Sequence, residues 1–207
     1  AVTGPDALGF LQNLLTQDLE GLEAGGVRYA ALLSPQGKVS ADMFVWGRED
    51  GLLLDADPAR GADLLRKLSM YKLRANVALA DASAAHSILV SEARFDGASA
   101  DPRLAALGWR KVSEESAPDG AADYEHRRIA LGVPDLARDA GADEMFAGEA
   151  LLEELNGVAF DKGCFVGQEN VSRMKRRATT RKKFCPIAFE GGPLKYGTPV
   201  REGEAEI

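Results

Sequence analysis

The sequence predicts an α+β fold, and three observations predict it. Short apolar runs of period two are separated by turn residues, as in hairpins. Two longer stretches repeat their leucines every three or four residues, as helices do. The elements then come as runs of strands interrupted by helices, without strict β-α-β alternation. With 207 residues, 45% of them hydrophobic and 28% charged, the chain is long enough to bury a core in one large domain or two small ones.

The elements follow in order. Gly4-Pro5-Asp6-Ala7 opens a helix over residues 5–18, with Leu8, Leu11, Leu14 and Leu15 at helical spacing and Gly21 after its end. Residues 27–33 read as a strand, Ser34-Pro35-Gln36-Gly37 as a tight turn, and residues 39–46 as the returning strand of a hairpin. Glu49-Asp50-Gly51 turns into a third strand over residues 52–55. Pro58 starts an amphipathic helix carrying Leu64, Leu65, Leu68 and Tyr71, and a strand follows at residues 76–79. Residues 81–85 are small and polar, as in a linker. Strands are expected at residues 87–91 and 108–112, with a turn-rich stretch containing Asp101-Pro102 between them. Residues 121–132 form a helix with Tyr124, Arg128 and Leu131 on one face, and residues 149–155 a shorter one stopped by Asn156-Gly157. Residues 168–177 form a helix with Val171 and Met174 at i, i+3. Strands at residues 185–190 and 198–200 flank Gly191-Gly192-Pro193, and residues 201–207 begin another hairpin. The chain starts at Ala1 without Met and stops inside that hairpin, so it reads as part of a longer protein.

Composition excludes several classes of function. No apolar run approaches the ~20 residues that a helix needs to cross a bilayer, and nothing at the start resembles a signal peptide. Two cysteines, Cys164 and Cys185, argue against a disulfide scaffold and for a reducing compartment. Two distant histidines give no zinc spacing, and two thiols cannot supply the four ligands of a resident iron–sulfur cluster. No metal site is expected.

The most informative stretch is Lys162-Gly163-Cys164-Phe165-Val166-Gly167-Gln168-Glu169, followed by a run in which 7 of the 11 residues from position 173 to 183 are basic. Residues 162–183 carry +7 in a chain whose total is −7. A charge segregated this sharply marks a place where something anionic docks. Lys162, two residues before Cys164, is the type of neighbour that lowers a thiol's pKa, and the following helix adds its N-terminus. A buried structural cysteine in a turn is the plainer alternative. Gln168 and Glu169 can together hydrogen-bond an aminopyrimidine edge, because a carboxylate matches paired N–H donors. The alternative for Glu169 is an i, i+4 ion pair with Arg173.

At these residues the chain resembles the GcvT-related folate-binding family, in its YgfZ/Iba-type branch implicated in iron–sulfur cluster assembly. The octet from Lys162 to Glu169 carries the resemblance. It extends through Gly4-Pro5-Asp6-Ala7 with Phe10-Leu11-Gln12, Ala31-Leu32-Leu33-Ser34-Pro35-Gln36-Gly37-Lys38, and Leu155-Asn156-Gly157-Val158. The resemblance implies a tetrahydrofolate-binding α+β body with a ferredoxin-like part and a C-terminal β-barrel, truncated here, around a central folate cavity. It divides the chain into residues 1–80 (first part of the folate-binding domain), 81–147 (ferredoxin-like), 148–183 (cysteine motif and basic segment) and 184–207 (start of the barrel). In the related aminomethyltransferases an aspartate on the second hairpin strand faces the reactive folate nitrogens. Asp42 occupies that position, with Ala41 before it where those enzymes show paired acids.

On this reading the cofactor is tetrahydrofolate or a derivative, bound by Asp42, Gln168, Glu169, Arg173 and Lys162, and Cys164 is a functional thiol at the cavity mouth. Asp42 and Cys164 are then the catalytic candidates. The partners are folate and client iron–sulfur proteins or assembly factors, in the bacterial cytoplasm or the mitochondrial matrix. The alternative on the same scaffold is a folate-dependent aminomethyltransferase, with Asp42 as its electrostatic group. A third class, an RNA-binding module, rests on the basic run alone. The lack of aromatics within that run and the acidic remainder of the chain argue against nucleic acid.

Overall fold

The computed structural model describes residues 1–115, 120–178, 180–192, 194–195, 197–202 and 205–206. The N-terminal half is built on β1 (Val2–Thr3), α1 (Ala7–Gln12), β2 (Val27–Leu33), β3 (Val39–Arg48), β4 (Gly51–Asp55), α2 (Pro58–Lys72) and β5 (Ala78–Leu79). The strands form one antiparallel sheet in the order β2-β3-β4-β1-β5. A second antiparallel sheet holds β6 (Ser87–Ser91), β7 (Ser99–Ala100) and β8 (Trp109–Ser113), in the order β6-β8-β7. Beyond it come α3 (Ala121–Ala130), α4 (Leu136–Asp139), α5 (Gln168–Arg177) and the short antiparallel pair β9 (Arg201–Glu202) and β10 (Ala205–Glu206). Helices and antiparallel sheets thus mix as the pattern predicts.

The first sheet is buried on both faces, and this dictates its composition. Along β2, Val27, Tyr29, Ala31 and Leu33 join one apolar cluster while Ala30 and Leu32 join the other. The second cluster is closed by α1 and α2 through Phe10, Leu11, Leu64 and Leu68. The first is closed by later segments through Leu136, Leu152, Leu155, Phe165 and Val171. A strand buried on both sides loses polar alternation, which is why β2 is nearly continuous in apolar residues. α2 starts cleanly: Asp57 accepts from the Ala59 N–H at 2.8 Å, with Pro58 in the first turn.

Four expectations need correction. The first helix ends at Gln12, well short of residue 18. Thr16, fully buried, accepts the Ala31 N–H at 2.8 Å and donates to the Gly157 carbonyl at 2.5 Å, and Leu15 bridges to Leu32. Those tertiary bonds pull the chain out of the helix and onto the sheet. Residues 149–155 form turns with no α-helix; Leu151 (φ 58°) and Asn156 (φ 54°) are left-handed, which an α-helix does not accommodate. Residues 185–190 and 198–200 carry no strand. Conversely, β1, β7 and α4 are too short to show a period, and the sequence reading omits them.

Candidate functional site

From Ala41 onward, past an irregularity in the ladder, residues of alternate parity on β3 face opposite clusters, and the even ones carry the chemistry. Asp42 and Phe44 line a cavity of about 860 Å³, together with Asp55, Arg103, Arg110 and Tyr124. That volume is typical of small-molecule sites. The Tyr29 hydroxyl donates to Asp42 Oδ2 at 2.8 Å. Burial pushes the Asp42 carboxyl above its ordinary value, opposed by that hydrogen bond. Asp55, at the end of β4, is pushed up by burial as well, with Arg110 pulling it back.

Phe44 has two guanidiniums against its ring. Arg110 lies 3.3 Å and Arg103 4.6 Å from the centroid, within cation–π range. Arg103 grips Asp101 through Nε (3.1 Å) and Nη2 (2.9 Å), and its own backbone N–H donates to the same carboxylate at 3.0 Å. It also donates to the Tyr124 hydroxyl from α3. Arg110, on β8, is held by charge from Asp101 at 3.4 Å and Asp55 at 3.5 Å. Asp101, Arg103 and Arg110 are all buried. The second sheet therefore brings basic groups to the wall on which the first sheet places an acid.

The cysteine octet lies elsewhere. Cys164 is an exposed free thiol, and Phe165 beside it is a buried anchor in the core. Lys162 is buried and its ammonium donates to the carbonyls of Gln12, Leu15 and Gln17 at 2.7, 2.7 and 2.8 Å. Burial brings its pKa down to about 8, with Asp18 and Glu20 opposing. The sequence expectation made Lys162 a cation beside the thiol and a ligand contact. Its three donors are instead committed to tying the cysteine loop to the turn after α1.

Gly167 and Gly37, both with φ near +80°, pack backbone to backbone. A Cβ on Gly167 would stand 2.6 Å from the Ser34 carbonyl oxygen and 2.9 Å from the Gly37 Cα. Asn170 on α5 donates to the Gln36 carbonyl at 2.8 Å, so the hairpin turn and the octet form one joint. Gln168 reaches back to the Gly163 carbonyl at 3.5 Å, and Arg173 donates to Asn170 Oδ1 without pairing with Glu169.

The basic run is partly neutralised. Lys175 pairs with Glu153 at 2.8 Å and lies over the Phe160 ring, and Lys183 pairs with Glu154. Among the described residues, Arg176, Arg177, Arg181 and Lys182 carry no ion pair, and all four are exposed.

Of the expected site residues, only Asp42 lines the cavity. Lys162, Cys164, Gln168, Glu169 and Arg173 are not among its lining residues. Tyr29, Asp55, Arg103, Arg110 and Tyr124 escaped the sequence reading. The one available signal was an arginine in an otherwise unremarkable strand, at Trp109-Arg110-Lys111-Val112. Among the described residues no cluster of His, Cys, Asp and Glu can hold a metal ion, and no helix is long and apolar enough to cross a membrane.

Comparison with known proteins gives this geometry a context. The family model of the GCVT N-terminal domain matches residues 1–110, a span that includes Asp42, Asp55, Arg103 and Arg110 and stops before the cysteine octet. The human mitochondrial iron–sulfur cluster assembly factor IBA57 is 29% identical over 91% of this chain. Its homolog in Neurospora crassa is 31% identical over 92%. The chain spans 63% and 52% of the lengths of these two relatives. The solved aminomethyltransferase T of the glycine cleavage system from Bartonella henselae aligns over 37% of the chain and 22% of its own, with 23% identity and a TM-score of 0.36.

Proposed function

The chain belongs to the GCVT N-terminal domain family, and from that premise we propose that it is a tetrahydrofolate-binding accessory protein for iron–sulfur cluster assembly or repair. The relatives that match most of its length are named as assembly factors of that process, and they are mitochondrial. A reducing compartment, the matrix or the bacterial cytoplasm, suits its two free thiols. The finer architecture proposed is a ferredoxin-like part within residues 81–147 and a β-barrel beginning in residues 184–207.

The observation that carries the folate reading is the cavity wall at Asp42. A folate needs a slot for a flat ring, an acid near its reactive nitrogens and donors for its oxygens. The cavity supplies Phe44 and apolar strand residues, the Asp42 carboxylate, and the guanidinium of Arg110. When bound, tetrahydrofolate supplies nucleophilic nitrogens that carry one-carbon units. The protein's part is to hold the ring against the apolar strand residues of the cavity, to keep water from it, and to keep Asp42 oriented through Tyr29. Gln168, Glu169 and Arg173 remain proposed as contacts for outlying parts of the cofactor. Cys164, exposed on its own loop, is proposed as the redox or transfer thiol toward client proteins.

Two experiments test this. Calorimetric titration of the protein with 5-formyl-tetrahydrofolate should show saturable binding that weakens at least tenfold in Asp42→Ala; a flat titration of the wild type would remove the folate reading. In cells lacking the protein, Cys164→Ser should fold normally yet fail to restore cluster-dependent enzymes. Full restoration would remove the thiol's role. Turnover of methylene transfer from a lipoyl carrier protein would point to the aminomethyltransferase reading.

A further inference from the structure

We infer that Arg110 is the residue that reads the ligand's ring, and that it recognises a neutral carbonyl oxygen on a flat heteroaromatic system. The inference rests on the folate reading and specifies which group of the bound ring the protein selects.

Four arginines line the cavity, and all four are ion-paired, but they differ in how many of their donors are hydrogen-bonded. Arg103 is committed to Asp101 and Tyr124. Arg128 donates to Glu125 through Nε and Nη2 and to the Val133 carbonyl through Nη1. Arg138 is 60% exposed and pairs with Glu125 and Asp135. Arg110 is ion-paired as well, with Asp101 at 3.4 Å and Asp55 at 3.5 Å, yet it is buried and makes fewer hydrogen bonds than Arg103 or Arg128. A guanidinium carries five N–H donors. Among the described residues, the one hydrogen bond made by Arg110 is the 3.5 Å contact from Nη1 to Asp55. Its buried Nε lies 3.4 Å from Asp101 Oδ2, an ion-pair contact without hydrogen-bond geometry. The side chain is only 5% exposed, and it lines the cavity. A buried donor without a partner is costly, and native proteins tolerate one mainly where function requires it.

Charge decides what kind of acceptor fits. Two guanidiniums, Arg103 and Arg110, face three carboxyl groups, Asp42, Asp55 and Asp101, so the wall has no surplus positive charge. A carboxylate or phosphate entering there would meet the acids. A neutral carbonyl accepts an N–H without adding charge. Shape decides the rest: Arg110 is pressed on Phe44, which fixes its plane, and Met43, Ile88, Val90 and Phe95 give the cavity apolar surface for a flat ring.

Folic acid and aminopterin differ at the ring position where one carries an oxo group and the other an amino group, so they isolate this contact. By calorimetry the wild type should bind folic acid at least tenfold more tightly than aminopterin, because an amino donor facing Arg110 leaves both groups unpaired. Arg110→Met should bring the ratio to within threefold. Arg110→Lys retains a charge opposite Asp55 and Asp101, which guards against loss of folding, and should give a ratio between the two. Asp42→Ala should weaken both ligands together and leave the ratio unchanged. A tenfold ratio that survives in Arg110→Met, or equal binding by the wild type, overturns the role of Arg110 while leaving the folate reading standing. Failure of both ligands to bind the wild type overturns both.

Discussion

The cavity wall and the cysteine octet differ in every respect that matters for how a protein builds a site. The octet is contiguous in sequence, sits on a glycine-bracketed turn, and leaves its thiol in solvent. The wall is assembled from positions 42, 44, 55, 103 and 110, which come from strands of two sheets and a turn beside the second, and are largely buried. One presents a thiol outward, and the other encloses a volume. The cavity-lining residues include Asp42 but none of the octet, and the two meet through the Gly37–Gly167 contact and the apolar cluster that holds Phe44 and Phe165. The proposed roles of Asp42 and Cys164 should therefore be separable by mutation, which a single merged site would not allow.

The largest effect should come from the wall. Arg103→Met leaves the buried carboxylate of Asp101 without its bidentate partner, a change that costs about 3 kcal/mol or more. Urea denaturation should show it, with folate binding lost at the same time. Next is the joint. Gly167→Ala combines a left-handed conformation with a Cβ placed 2.6 Å from a carbonyl oxygen, and should destabilise by about 2 kcal/mol. Limited proteolysis should then cut first near the octet while the wall stays intact.

The third test has the opposite sign. Burial raises the carboxyl pKa of Asp42 in the folded chain above its unfolded value. Its contribution to stability is therefore fully present below the unfolded pKa and is lost as pH rises through the folded one. Above the acid range the buried carboxyl is a burden, so Asp42→Asn should stabilise the protein by about 1 kcal/mol at pH 7. The gain should shrink toward pH 4, and folate affinity should fall even as the melting temperature rises. The smallest effect belongs to the basic run. Arg176→Ser with Arg177→Ser removes two exposed, unpaired charges and should leave stability within about 0.5 kcal/mol. Folate affinity should stay within twofold.

The same contrast explains what the sequence made legible. β2, the turn at Ser34 to Gly37 and α2 are local matters of period, proline and capping, and the expected boundaries fall within one or two residues of those found. The octet was legible because its chemistry is adjacent in sequence. The first helix was overextended because Leu14 and Leu15 keep helical spacing while Thr16 answers to Ala31 and Gly157, far away along the chain. Residues 149–155 carry leucines that serve the core from turns, and the left-handed Leu151 has no local signature. The wall was almost wholly illegible beyond Asp42. Arg103, Arg110 and Asp55 are ordinary residues of a turn and two strands until the second sheet is laid against the first. Lys162 looked like an activating cation because its three carbonyl partners lie some 150 residues upstream.

The separation of the two sites is the claim most open to direct measurement. Titration of 5-formyl-tetrahydrofolate into Asp42→Ala and Cys164→Ser, side by side with the wild type, should show at least a tenfold loss of affinity in the first and less than a twofold change in the second. A comparable loss in Cys164→Ser would contradict it, by placing the thiol within the ligand site.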